Sequence, residues 1–139
     1  MTHKLYLALG SNLGNREENI RRALALIDER VGSVYRVSSP METDPVGFSS
    51  PNKFINLVCL VHTMMSPMSC LRETQKIEQE LGRMQKTICT DGQLLHSDRT
   101  IDIDLLTYDD IIMDTPELTL PHPRMKERDF VMRPLEEIS

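Results

Sequence analysis

The chain has 139 residues, of which 40% are apolar and 27% charged, a composition typical of a folded globular protein. Its net charge of −5 argues against a nucleic-acid partner. No apolar run approaches the roughly 20 residues of a membrane span, and the first run is too short for a signal peptide. Three cysteines without C-x-x-C spacing favour a reducing compartment. We therefore expect one cytoplasmic domain covering residues 1–139.

Hydrophobic periodicity predicts six elements up to residue 108. The predicted strands cover residues 4–9, 33–38, 54–63 and 100–108. One helix is expected after its cap Asn15, and a second begins at Ser66-Pro67 and ends at Gly82. Residues 41–53 and 87–97 are predicted loops, and the remainder is predicted to mix turns with a short basic segment.

The order of these elements is strand, helix, strand, strand, helix, strand. This order predicts an α+β fold with a ferredoxin-like two-layer arrangement, in which two main helices cover one antiparallel sheet. Because this architecture serves many functions, the function has to be argued from particular residues.

An acidic pair in the last predicted strand is the most informative feature. Side chains alternate along a strand, so Asp102 and Asp104 share one face while Ile101, Ile103 and Leu105 share the other. Two carboxylates side by side repel each other, and a hard divalent cation such as Mg²⁺ relieves that repulsion. The alternative, a solvated edge strand with two surface aspartates, stays open from this motif alone.

Two cationic side chains precede the acidic pair in the sequence. Arg99 precedes it, and Arg83 follows the second predicted helix. Guanidinium groups bind phosphate oxygens through paired donors, so metal and arginines together are typical of phosphoryl transfer. Glu78 lies on the apolar stripe of the second helix, either at its rim or as a ligand-binding carboxylate.

The C-terminal segment offers a phosphate contact and an aromatic pair. His122 stands between two prolines and is followed by Arg124, Lys126 and Arg128. Phe54 and Phe130 are either core residues or a pair that stacks on a flat heterocycle whose edge Asn56 reads. The segment 10–14 is glycine-rich but lacks both the P-loop ending and the G-x-G-x-x-G spacing, so it supports only a turn close to a ligand.

Four motifs, at residues 8–14, 42–47, 98–104 and 120–134, resemble those of the 6-hydroxymethyl-7,8-dihydropterin pyrophosphokinase family. The resemblance covers nearly the whole chain. It implies an ATP-dependent diphosphotransferase of folate biosynthesis that moves pyrophosphate from ATP to a hydroxymethylpterin and releases AMP. It also implies small-molecule partners only; a monomer is expected, and a dimer stays open.

The resemblance assigns roles residue by residue. Asp102 and Asp104 resemble the ligands of two Mg²⁺ ions. The implied pterin pocket comprises Thr43, Val46, Phe54, Asn56, Asp102 and Phe130. The implied ATP contacts are Glu78, Arg83, Arg99, His122 and Arg128. The implied catalytic residues are Arg83, Arg99, Asp102 and Asp104.

The sequence departs from the family pattern in three places, and two other functions compete. The family often has Arg where this chain has Gln85, and it often has Trp ahead of the motif at 98–104, whereas this chain has no Trp. Residues 87–97 also form a longer segment than usual.

A binding module without turnover would not need the acidic pair with its arginines. A metal-dependent phosphodiesterase or nuclease would use the same acidic strand and hydrolyse its substrate independently of AMP, but the net charge argues against a nucleic-acid substrate.

Overall fold

The computed structural model describes residues 2–44, 52–83 and 100–139, with only the backbone of Arg83. Its strands are β1 (His3–Ser11), β2 (Ser33–Val37), β3 (Met41–Thr43), β4 (Phe54–Thr63), β5 (Asp102–Tyr108), β6 (Met113–Asp114) and β7 (Thr119–Leu120). Its helices are α1 (Arg16–Arg30), α2 (Pro67–Arg83) and α3 (Asp129–Ile138), with a 3₁₀ turn at Met125–Glu127 before α3. The predicted α+β class is confirmed.

The main sheet has the strand order β2-β4-β1-β5, and β3 adds to the beginning of β4. Every described strand pair is antiparallel. The central strand β1 pairs along its length with β4 on one side and β5 on the other. The separate ribbon of β6 and β7 follows β5 in the chain.

One face of the sheet is a continuous apolar core beneath α1 and α2. Leu5, Leu7 and Leu9 of β1 are at most 1% exposed on this face. The helix caps form as predicted: the Asn15 carboxamide oxygen accepts the Glu18 amide at 3.1 Å, and the Ser66 hydroxyl accepts the Ser69 amide at 3.3 Å. Burial of alternate β1 residues therefore fixes the orientation of the whole sheet.

The opposite face is covered in part by α3, which the sequence pattern did not predict. Pro134 lies inside α3, where a proline typically costs about 3 kcal/mol by removing a helical hydrogen bond. Burial of Val131 and Ile138 against the sheet residues Leu60 and Leu106 offsets that cost. The expected arrangement with two main helices is therefore incomplete, because a third helix packs on the second face.

The expected loop at 41–53 also contains a strand that was not predicted. Met41, Glu42 and Thr43 pair with Asn56, Ile55 and Phe54 of β4. A three-residue strand has too short a pattern to be recognised locally, and its partner determines it. No helix in the described part of the chain combines the length and apolar character that a membrane crossing needs.

Candidate active site

A row of polar and small residues crosses three strands on the sheet face that α3 covers in part. The row lies beyond the apolar cluster beneath α3. Gly10 of β1 pairs with Asn56 of β4 and with Asp102 of β5. Ala8, in the next row, pairs with Val58 and Asp104. Adjacent strands lie about 4.8 Å apart, so Asn56 and Asp102 are separated by about 10 Å across the glycine.

Gly10 allows the side chains of β4 to approach β1 closely. A Cβ atom at this position would lie 2.9 Å from Asn56 Oδ1 and 3.4 Å from Phe54 Cδ1. The first distance is shorter than a normal contact, so any larger residue would displace the Asn56 amide. The absence of a side chain at Gly10 therefore leaves room for Asn56 and Phe54, two of the predicted pterin residues, to lie against β1.

The amide of Asn56 has a fixed orientation. Its Nδ2 donates to Thr43 Oγ1 at 2.7 Å and to the Met41 carbonyl at 3.4 Å. Asn56 is only 7% exposed, so these bonds within the protein hold the amide with Oδ1 towards Gly10. The predicted residues Thr43 and Asn56 are thus in direct contact.

The two aspartates of β5 lie together as the alternation predicts. Asp102 and Asp104 are half-buried on the second face, while Ile103 and Leu105 are buried in the helix-covered core. The prediction that their side chains share one face is confirmed. Two half-buried carboxylates two residues apart concentrate negative charge at the rim of the row.

Glu78 extends from α2 to the same part of β5. Its Oε2 accepts the Ile103 amide at 2.8 Å. Burial is the largest cause that raises the pKa of Glu78 to about 8, the charges of Asp102 and Asp104 raise it further, and the Ile103 amide opposes them. The three carboxylates therefore form one electrostatic group, which a cation would stabilise.

His122 belongs to a segment anchored to β5. Its amide donates to the Leu106 carbonyl at 2.8 Å, and its ring Nδ1 accepts the Arg124 amide at 3.2 Å. Burial lowers the pKa of His122, as do the charges of Arg128 and Arg124, while Asp102 opposes the shift. The ring is therefore neutral at pH 7, with its proton on Nε2.

Arg128 and Phe130 stand together at the beginning of α3. The guanidinium carbon of Arg128 lies 5.7 Å from the centroid of the Phe130 ring. Phe130 is half-buried and packs against the smaller apolar cluster beneath α3. This contact links a predicted phosphate-binding cation to a predicted pterin-stacking ring.

The residues described here fit a metal that a phosphate-bearing ligand helps to hold. Among the described positions, no group of three or more His, Cys, Asp or Glu side chains is arranged to hold an ion alone. Asp102 and Asp104 supply hard oxygen donors, and Mg²⁺ usually takes one or two carboxylates and completes its shell with phosphate oxygens and water. The donor set therefore suits Mg²⁺ bound with a nucleotide.

Several predicted positions lie outside the described residues: Val46, Arg99, the Arg83 side chain, Gln85 and the segment 87–97. Sequence reasoning missed the roles of Gly10 and Arg16. Gly10 stood in a quoted motif, but its contacts depend on β4. Arg16 contacts residues 26 and 37 positions away along the chain, which no local pattern reveals.

The chain matches the model of a family described as 7,8-dihydro-6-hydroxymethylpterin-pyrophosphokinase (HPPK) over residues 6–139. A Porphyromonas gingivalis protein named 2-amino-4-hydroxy-6-hydroxymethyldihydropteridine pyrophosphokinase is 44% identical over 136 residues, which cover 97% of this chain and 90% of that protein. The Bacillus subtilis protein of the same name is 41% identical over 139 residues, 99% of this chain and 79% of its own.

A solved structure supports the same fold. The wild-type HPPK-DHPS structure of Plasmodium falciparum with STZ-DHP matches with a TM-score of 0.71 and 17% identity. The match covers 99% of this chain and 38% of that longer chain. Together with the family match and the relatives above 40% identity, these findings show that the chain belongs to the HPPK family.

Proposed function

We propose that the protein transfers pyrophosphate from ATP to the hydroxymethyl group of 6-hydroxymethyl-7,8-dihydropterin and releases AMP, as a step of folate biosynthesis. Its relatives carry the name of this pyrophosphokinase. The observation that carries the proposal is the row on the second sheet face, where Asn56 and Asp102 flank Gly10. The proposed contact with the pterin edge on β4 and the proposed metal site on β5 would then be separated by the single strand β1.

The pterin half of the site would be formed by Thr43, Val46, Phe54, Asn56, Asp102 and Phe130. Because Asn56 Nδ2 is held by Thr43, Oδ1 is the atom that would accept a hydrogen bond from the pterin ring. Asn56 and Asp102 lie on the strands on either side of β1, with about 10 Å between their Cα atoms, so both side chains would contact one flat bicyclic ring that lies on the side chains covering Gly10. Phe54 and Phe130 supply the apolar surfaces that would stack on it.

The ATP half would be formed by Glu78, Arg83, Arg99, His122 and Arg128. His122 would donate from Nε2 to a phosphate oxygen, because its Nδ1 accepts the Arg124 amide. Arg128 would neutralise phosphate charge next to the Phe130 ring. Arg83 and Arg99 would be the catalytic cations, which stabilise charge that moves onto the phosphate oxygens during transfer.

Asp102 and Asp104 would hold two Mg²⁺ ions, which neutralise phosphate charge and orient the ATP chain when bound. The two carboxylates and the buried Glu78 make this part of the site unfavourable without a cation. The hydroxymethyl oxygen would attack the β-phosphorus in line as the bond between that phosphorus and the α,β-bridging oxygen breaks, so AMP would leave with the bridging oxygen. The protein's own contribution is to align these atoms.

We further propose that residues 1–139 form a single domain with the ferredoxin-like arrangement. The sheet order β2-β4-β1-β5 with α1 and α2 on one face supports that arrangement. We also propose a cytoplasmic monomer that acts only on small molecules. The acidic composition argues against a nucleic-acid partner, and the absence of disulfide-forming patterns agrees with a reducing compartment.

The test measures AMP release from ATP in the complete mixture, without the pterin, and without Mg²⁺. Pterin-dependent and Mg²⁺-dependent AMP, with a pterin product heavier by a diphosphate group in mass spectrometry, is the expected result. AMP release without pterin would favour a phosphodiesterase. A folded protein that binds pterin but releases no AMP would favour the binding module.

A further inference from the structure

The connection between β1 and α1 contacts the backbone that leads into β4. Asn12 Nδ2 donates to the Asn52 carbonyl at 3.2 Å, and Arg16 Nη1 donates to the Lys53 carbonyl at 2.8 Å. The carbonyls of two consecutive residues just before β4 thus accept hydrogen bonds from a side chain of this connection and from the first residue of α1. The glycine-rich segment 10–14 therefore has a role other than phosphate binding: it and the residue that begins α1 contact the backbone just ahead of β4.

Arg16 also reaches the strand on the far side of β4. The same Nη1 donates to Glu42 Oε2 at 2.9 Å, and Glu42 is the middle residue of β3. One guanidinium nitrogen therefore joins β3 to the residue that precedes β4. Since β3 has only three residues, each contact that ties it to β4 is a large share of its stabilisation.

We infer that Arg16 is a positioning residue for the pterin half of the site, an inference that rests on the proposed function. Thr43 follows Glu42 directly and pairs with Phe54, which follows Lys53 directly. By holding Glu42 and the Lys53 carbonyl together, Arg16 keeps the Thr43 hydroxyl within hydrogen-bonding distance of Asn56. Its effect on the pterin passes through these residues, and Arg16 itself is not a catalytic residue.

The magnitude of this effect is moderate. The Arg16 and Glu42 side chains are 31% and 51% exposed, and exposed ion pairs contribute little. The bond to the Lys53 carbonyl adds a charge-assisted contact. We therefore expect Arg16→Ala to raise the pterin KM about fivefold, while the ATP KM stays within about twofold.

Arg21→Ala is the matched control, because it removes the same charge from the same helix. Within the described part of the chain, Arg21 pairs with Glu18 in the same helix, and its side chain is 76% exposed. The control should leave both KM values and kcat unchanged. Hydrogen exchange of the β3 amides provides a readout that needs no substrate: exchange should accelerate in Arg16→Ala and not in Arg21→Ala.

The outcomes separate this inference from the proposed function. If the wild-type protein shows no pterin-dependent AMP release, the proposed function fails irrespective of Arg16. If the wild type is active and Arg16→Ala leaves the pterin KM or the β3 exchange unchanged, Arg16 is not a positioning residue. An equal rise in both KM values, with a lower melting temperature, would assign it a general structural role and overturn the inference.

Discussion

The two faces of the main sheet use the same strands for opposite purposes. Leu5, Leu7 and Leu9 of β1 face α1 and α2 and are almost fully buried, whereas Ala8 and Gly10 alternate with them on the face of the candidate site. Burial beneath α1 and α2, together with the smaller cluster beneath α3, provides the stability that allows the rest of the other face to carry glycine and clustered carboxylates. We therefore expect substitutions beneath α1 and α2 to affect mainly stability, and substitutions in the candidate site to affect mainly activity.

The largest effect is expected from Asp104→Asn on the site face. Loss of a proposed metal-binding carboxylate should lower kcat by about a thousandfold or more, while the melting temperature should change little because the substitution also removes the repulsion between the Asp102 and Asp104 side chains. AMP release and thermal unfolding measure the two quantities. Asp110→Asn is the control, because it makes the same charge change at an exposed position just beyond β5. A similar loss of activity in Asp110→Asn would contradict the proposal that Asp104 acts as a metal ligand.

The reverse pattern is expected for Leu7→Ala on the helix-covered face. Leu7 is fully buried between Cys59 and Leu105, so the cavity should reduce the free energy of unfolding by about 2–5 kcal/mol. Activity per folded molecule should change less than twofold. Urea unfolding gives the first value, and Val37→Ala on the exposed strand β2 should change it by less than about 0.5 kcal/mol.

A third prediction concerns a substitution that adds atoms to the site face. Gly10→Ala should raise the pterin KM about tenfold, because the new methyl group occupies the space of Asn56 Oδ1. Displacement of the Asn56 amide would also disrupt its hydrogen bonds to Thr43 and the Met41 carbonyl, so the melting temperature should fall as well. In Gly82→Ala, the control, the added Cβ meets no described atom within 4 Å. Equal effects of Gly10→Ala on pterin and ATP would contradict the assignment.

Local features of both faces were predictable from the sequence, whereas long-range contacts were not. The alternation around Asp102 and Asp104 has a period of two residues, and the Asn15 cap bonds a residue three positions away. The strand β3 forms by pairing with β4. The helix α3 is stabilised by burial against the sheet, whereas the proline inside it argues against a helix at the level of sequence. The contact of Glu78 with β5 likewise depends on tertiary packing, although its position on the buried stripe suggested a special environment.

The smallest effect should come from a polar cluster at the opposite end of the sheet. Asp109 accepts the Lys4 amide at 2.7 Å and pairs with His3 at 2.6 Å. The Lys4 amide, followed by His3, holds the pKa of Asp109 below its ordinary value of 3.8. The charged carboxylate therefore stabilises the fold above pH 3.8, and this contribution disappears as the pH falls through the lowered value.

Asp109→Asn tests whether polar contacts outside the site serve stability alone. Asparagine tolerates the positive φ of 48° at this position, so the substitution removes charge without straining the backbone. Because Asp109 is partly exposed, the loss at pH 7 should be at most about 1 kcal/mol, and the difference from wild type should shrink as the pH falls below 3.8. Unfolding measured against pH gives this curve. If kcat and KM are unchanged in the same variant, the polar contacts at this end of the sheet serve stability alone, and stability and activity are separated along the strands as well as between the two faces. If the kinetics change, the two ends of the sheet are coupled.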